Sequence, residues 1–263
     1  MIGMHRTIGM NRKQPGASAV WVRLPAILLA LAAAVMAAAG GHAAETGESL
    51  LSRYGGGDTN RQFYVAGIIG ADFATLDKVP GDLTAVPNQS IFTAGGTLGM
   101  RFLRDNGAVR LEFEGRGRDQ VLSTVAEPVI GSFTTQATDG WSALVNVWRD
   151  YKPFDSFGVY GGGGIGSGGY RSVISGTGLA PLFATANDRV TNFAWQAGGG
   201  IFYEISQRAT LDLGYRFFSI SESTATGEST IGGGPFTYPT TFAASELLMT
   251  FRIYEPFRGW RRR

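Results

Sequence analysis

Five charged residues at every second position, Arg110, Glu112, Glu114, Arg116 and Arg118, alternate with Val109, Leu111 and Phe113 in the most sharply periodic stretch of the chain. A strand turns successive side chains to opposite faces, so these charges share one face and the apolar residues the other. Charges at that spacing can do one of two things. They neutralise one another as a locked set of ion pairs, or they line a narrow polar path that opens when the pairs exchange partners. Arg101, Asp212, Arg216, Glu246 and Arg252 share the inward parity on other alternating stretches and complete the candidate charge network.

Other chemistry is constrained by what the chain lacks. It has no Cys, and its two His residues, His5 and His42, both lie in the first 43 positions. Without that segment there is no imidazole for a Ser-His-Asp triad, a His-ligated zinc or a His general base. Paired carboxylates remain possible in principle, but nothing else in the sequence favours them. Gly161, Gly163 and Gly166 fit G-x-G-x-x-G, yet Ser167-Gly-Gly-Tyr170 follows where a dinucleotide site needs a helix to open. We expect no catalytic residue, no cofactor and no metal.

The elements that must position the charges are strands. Eight alternating segments run over about 62–75, 90–103, 108–120, 136–150, 157–171, 190–204, 209–221 and 241–254. In the last, Leu247, Met249, Phe251 and Ile253 point one way, and Glu246, Thr250 and Arg252 the other. Segments of about ten residues or more suit a tilted bilayer crossing. Short connections at 104–107, 151–156 and 205–208 alternate with long ones at about 76–89, 121–135, 172–189 and 222–240. That regular alternation marks a membrane barrel with short turns on one side and long loops on the other. A soluble barrel that binds a ligand would instead have an apolar interior. The expectation is an all-β fold, an eight-stranded antiparallel up-and-down transmembrane β-barrel with apolar residues facing lipid and charges facing the lumen. On this reading residues 61–257 form the barrel, 44–60 a linker and 258–263 a basic tail.

The leader has its own signature. Arg6, Arg12, Lys13 and Arg23 precede an apolar run from Leu24 to Ala39, and small residues follow through Ala43. Residues 1–43 read as a cleavable signal peptide, with the cut between Ala43 and Ala44. The leader holds four bases and no acid, so the formal charge of +2 becomes −2 without it. Apparent basicity is therefore no sign of nucleic-acid binding.

Strand phrases throughout the chain carry a resemblance: Tyr64-Val-Ala-Gly-Ile-Ile-Gly-Ala-Asp-Phe73, Ala194-Trp-Gln-Ala-Gly-Gly-Gly200, Leu211-Asp-Leu-Gly-Tyr-Arg-Phe217 and Glu246-Leu-Leu-Met249. They resemble the OmpA-like and Opa-like outer-membrane β-barrel family of Gram-negative bacteria. The resemblance implies residence in the cell outer membrane among its lipids and lipopolysaccharide, with insertion by the barrel-assembly machinery. The role it implies is structural or a surface interaction of the adhesin or antigen kind, with an extracellular partner met through the long loops. The alternative is a small porin-like channel for ions or polar solutes. Relatives that hydrolyse lipid use a His beside a nucleophilic Ser, and no His lies beyond the leader. Family members usually finish on an aromatic residue; here Tyr254 and Phe257 are the candidates for that insertion signal. Aromatic residues near strand ends, Tyr170 among them, are expected in the interfacial girdles, and Phe133, Phe183, Phe236 and Tyr238 in loops. Antiparallel register between the last two strands sets Arg216 against Glu246 and brings Asp212 within one diagonal step of Arg252.

Overall fold

A computed structural model describes residues 61–77, 86–127, 129, 131–231 and 233–255. The expected leader with Ala43 and Ala44, the expected linker at 44–60, Phe257 and the expected tail at 258–263 fall outside the described residues. Strands β1 (Arg61–Asp77), β2 (Val86–Arg104), β3 (Gly107–Arg118), β4 (Val121–Glu127), β5 (Gly131–Tyr151), β6 (Phe157–Gly176), β7 (Thr185–Ser206), β8 (Ala209–Ser229) and β9 (Gly234–Tyr254) follow in order, with a short helix α1 (Ala180–Phe183) before β7. Neighbours in sequence pair antiparallel except β3 and β4, β1 also pairs with β9, and β3 with β5, which closes the sheet into a ring. A closed ring has no unpaired edge. β4 is a second segment of the third stave: Arg118 pairs with Gly140 of β5, and Val121 resumes the pairing at Ala137. The nine strands therefore make eight staves.

The outward face is apolar in a continuous belt. Val65, Leu98, Phe113, Val145, Ile165 and Trp195 lie in register on successive staves, and Leu98, Phe113 and Ile165 are 55%, 55% and 60% exposed. A belt that wide is stable only against lipid.

The strands are far longer than a bilayer requires. β7 has 22 residues, and β5, β8 and β9 have 21 each, where about 9 to 11 suffice to cross. Most of the surplus lies at the long-hairpin end. Three of the four expected long loops are therefore largely strand: β4 with the start of β5, the end of β6 with α1 and the start of β7, and the end of β8 with the start of β9. Within the fourth, β1 runs to Asp77 and β2 begins at Val86. In this collar the polarity of the alternation reverses. Phe133, Ile174, Ala186, Ala225 and Tyr238 are buried inside, whereas Thr134, Ser175, Asn187, Thr226 and Thr237 face outward. Water surrounds a collar of this pattern, as it does a soluble sheet.

This inversion moves several aromatic residues from their expected places. Tyr170 is buried inside and hydrogen-bonded to Thr240 (2.9 Å), so it is no part of a girdle. Phe133 and Tyr238 are likewise interior, with the Tyr238 hydroxyl 2.9 Å from Ser172 Oγ. Tyr254 faces inward and meets Tyr64 edge-on at 5.5 Å.

Candidate functional site: the lumen charge network

Alternation along β3 delivers Arg110, Glu112, Glu114, Arg116 and Arg118 to the lumen, each under 9% exposed. Arg101 from β2, Asp212 and Arg216 from β8, and Glu246 and Arg252 from β9 join them there. Asp72 and Asp150 are also buried at the axis, and Lys152 and Glu204 stand at the tight-turn mouth. Among the described residues the buried charges are six arginines and six carboxylates, so this interior is neutral as a set.

The contacts form tiers. At the mouth Arg101 Nη2 lies 2.9 Å from Glu204 Oε1, and Lys152 reaches the other oxygen of the same carboxylate. Next, Asp150 takes Arg110 at 2.9 Å and Arg252 at 3.4 Å, while Arg252 also meets Asp212 at 2.6 Å. Glu112 accepts from Tyr64, from Arg110 and from Trp148 Nε1, the last at 2.9 Å. At mid-height Glu114 is held by Arg116 at 2.6 Å and Arg216 at 2.7 Å. Gln196 accepts from Arg116 at 2.7 Å and donates to Asn146 at 2.8 Å. The last tier places Glu246 between Arg116 (2.6 Å) and Arg118 (2.8 Å), with Arg118 also 3.0 Å from Asp72. Above it, Phe218, Leu144, Ile220, Phe242 and their neighbours form an apolar cluster.

Three of these pairs join staves four apart in a ring of eight: Arg101 on β2 with Glu204 on β7, Asp150 on β5 with Arg252 on β9, and Glu114 on β3 with Arg216 on β8. They span the full diameter at three heights. Each buried arginine also lies over an aromatic ring, from Arg118 at 3.7 Å from the Phe218 centroid to Arg116 at 5.8 Å from the same ring. Ring contact adds to the ion pairing of a desolvated guanidinium.

Glycine makes room for this packing. A Cβ on Gly95 would stand 2.4 Å from Arg116 Cγ, and one on Gly164 would stand 1.8 Å from Asn146 Oδ1. The Gly161-x-Gly-x-x-Gly166 pattern thus sits mid-strand in β6, beneath interior side chains.

The register sets Arg216 opposite Glu246, and Asp212 one step from Arg252's own partner Thr210. Asp212 and Arg252 do pair, whereas Arg216 crosses the lumen to Glu114 and leaves Glu246 to Arg116 and Arg118. Local register cannot foresee that exchange, because it depends on which staves become diametric. Asp150, Glu204 and Lys152 escaped the sequence reading. Strand parity through Asn146 and Trp148 would have found Asp150, and parity through Gln196 would have found Glu204.

An up-and-down ring of eight staves, with lipid outside and paired charges inside, is the architecture of a known kind of domain. Residues 26–238 match the model for the outer membrane protein beta-barrel domain. The chain belongs to that family. Its location is accordingly the outer membrane. No curated protein matches the chain. Several solved structures are similar to this outer-membrane barrel. Neisserial surface protein A is 14% identical, with 73% of this chain and 96% of that one covered and a TM-score of 0.42. Ail, the attachment invasion locus protein of Yersinia pestis, solved in complex with the heparin analogue sucrose octasulfate, is 12% identical over 73% and 99%, with a TM-score of 0.37. The outer membrane protease OmpT of Escherichia coli is 6% identical over 74% and 95%, with a TM-score of 0.45. Identities and scores this low carry no argument about function.

Proposed function

We propose that this outer-membrane barrel is a non-catalytic envelope protein whose interior is a closed ion-paired plug and whose elongated collar is its working surface. The observation that carries the reading is the set of diametric pairs. An ion passing along the axis would have to break Arg101–Glu204, Asp150–Arg252 and Glu114–Arg216 in turn, then cross the apolar cluster above them. Eight staves leave room for little more than the side chains themselves. Each buried carboxylate has an arginine partner, so none is free to act as a general acid or base. The tight-turn end lies in the periplasm and the collar outside the cell, in the manner of outer-membrane barrels, with insertion by the assembly machinery. A collar that presents Ser, Thr and Asn outward fits a role in surface interaction.

Planar-bilayer recording of the purified protein tests the plug against the porin-like alternative. We expect no stepwise conductance from the wild type. Regular single-channel steps in wild-type protein would overturn the plug and favour the channel.

A further inference from the structure

Arg171 on β6 and Arg189 on β7 are register partners, and both side chains point away from the lumen. Two guanidiniums side by side repel, and Asp139 stands against both. Its Oδ2 is 3.5 Å from Arg171 Nε and 3.8 Å from Arg189 Nη2, both too far for a hydrogen bond. Arg171 Nε has no hydrogen-bond partner. Asp139 is carried into place by an irregularity in β5 between Thr138 and Trp141, where its φ is +54°. Two cations sharing one carboxylate leave this trio net positive, and the Arg171 and Arg189 side chains are 35% and 73% exposed.

The height of the pair identifies what those donors face. Trp141, Gly169 and Thr191 form the outward row two residues below it, and Trp141 and Phe193 are exposed at the top of the apolar belt. Two residues along a tilted strand rise roughly 5 Å. The pair therefore sits where hydrocarbon gives way to headgroups, with Gln136 and Asn187 flanking Val173 in the next row beyond it. Among the described residues, Arg171 and Arg189 are the cations on the outward face of this half of the barrel.

We infer that Arg171 and Arg189 form a binding site for the phosphate of an outer-leaflet lipid headgroup. Two adjacent guanidiniums offer the forked donors that a phosphate oxygen set accepts, and the ledge of Trp141 and Phe193 receives the acyl chains below. Assignment to the outer leaflet rests on the collar facing out, as proposed above.

The test is a native mass spectrometry titration of the detergent-solubilised protein with bisphosphorylated lipid A, with dephosphorylated lipid A of the same acyl composition and with inorganic phosphate as comparisons. Heat-modifiable electrophoretic mobility confirms that each variant is folded. We expect binding of bisphosphorylated lipid A to weaken at least about tenfold in R171Q/R189Q, and dephosphorylated lipid A to bind the wild type comparably weakly. Binding should strengthen several-fold in D139N, since Asn tolerates the positive φ and removes the competing charge. Unchanged affinity in R171Q/R189Q, equal binding of the dephosphorylated lipid, or full competition by inorganic phosphate at equal concentration each overturns the proposal. The titration is independent of how the barrel points. Protease cleavage of the hairpin tips in intact cells reads orientation separately, so a failure of that reading is distinguishable from failure of the phosphate site.

Discussion

Glu114 neutralises Arg116 and Arg216 together in a place with no access to water. Without it Arg116 keeps Glu246, but Arg216 loses the carboxylate it is paired with, and stranding one buried charge costs about 3 to 5 kcal/mol. Glu114→Gln should therefore lower the free energy of unfolding in micelles by about that amount. Glu204→Gln, at the mouth where water can hydrate Arg101 and Lys152, should lower it by only about 1 kcal/mol. Urea titrations of the two variants settle the comparison, and equal losses would mean that the centre of the network is wet. Glycine offers a second contrast at this scale. Gly95→Ala drives a Cβ to 2.3 Å from the Gly115 carbonyl oxygen and 2.4 Å from Arg116 Cγ, whereas Gly67→Ala meets nothing within 4 Å. The first should destabilise by roughly 1 to 3 kcal/mol and the second should stay within about 0.5 kcal/mol of wild type, as read from the same urea midpoints.

Strands show which faces meet lipid. Leu213 and Phe251 are 49% and 43% exposed on the outer wall, while Thr97 is 4% exposed inside. An arginine at either of the first two positions should cost about 2 to 4 kcal/mol of folding free energy in a bilayer, whereas Thr97→Ser should insert like wild type. Folded yield in lipid vesicles measures both, and equal yields would contradict the facing. The spanning parts of the strands were legible in the sequence because two-residue alternation with apolar side chains outward is a strong pattern. The collar was not. Its outward residues are mostly short polar ones such as Thr134, Ser175, Asn187 and Thr226, its inward ones a mixture of Ala, Ile, Tyr, Phe and Thr, and the reversal of phase at the membrane surface cancels the signal that marks the lower strands. The inward parity of the charged residues was readable for the same reason as the spanning strands. The choice of partners across the lumen was not, since Arg216 selects Glu114 over its ladder neighbour only once the ring has closed.

The whole molecule is a ring whose two ends differ. Turns such as Asp105–Asn106 and Gln207–Arg208 are tight, whereas two of the long hairpins run from Gly176 of β6 to Thr185 of β7 and from Ser229 of β8 to Gly234 of β9. With the collar facing out, protease added to intact cells should cut near Gly178 or Ile231. Cuts at Asn106 or Gln207 in sealed cells would reverse the assigned orientation.

The collar also sets a reach. Its strands carry the sheet ten or so residues past the apolar belt, as from Ser219 to Ser229 on β8, which at ordinary rise and tilt is roughly 25 Å. A sheet-built wall does not fold back as a free loop of that length would, so the hairpin tips stand at a fixed distance above the lipid. Large reagents such as antibodies would meet the tips and little else, and the arginine pair at the wall's foot would be shaded from them. Shortening β8 and β9 by matched pairs of residues at Thr226 and Thr237, which are themselves register partners, would lower one tip in measured steps while leaving the membrane ring intact.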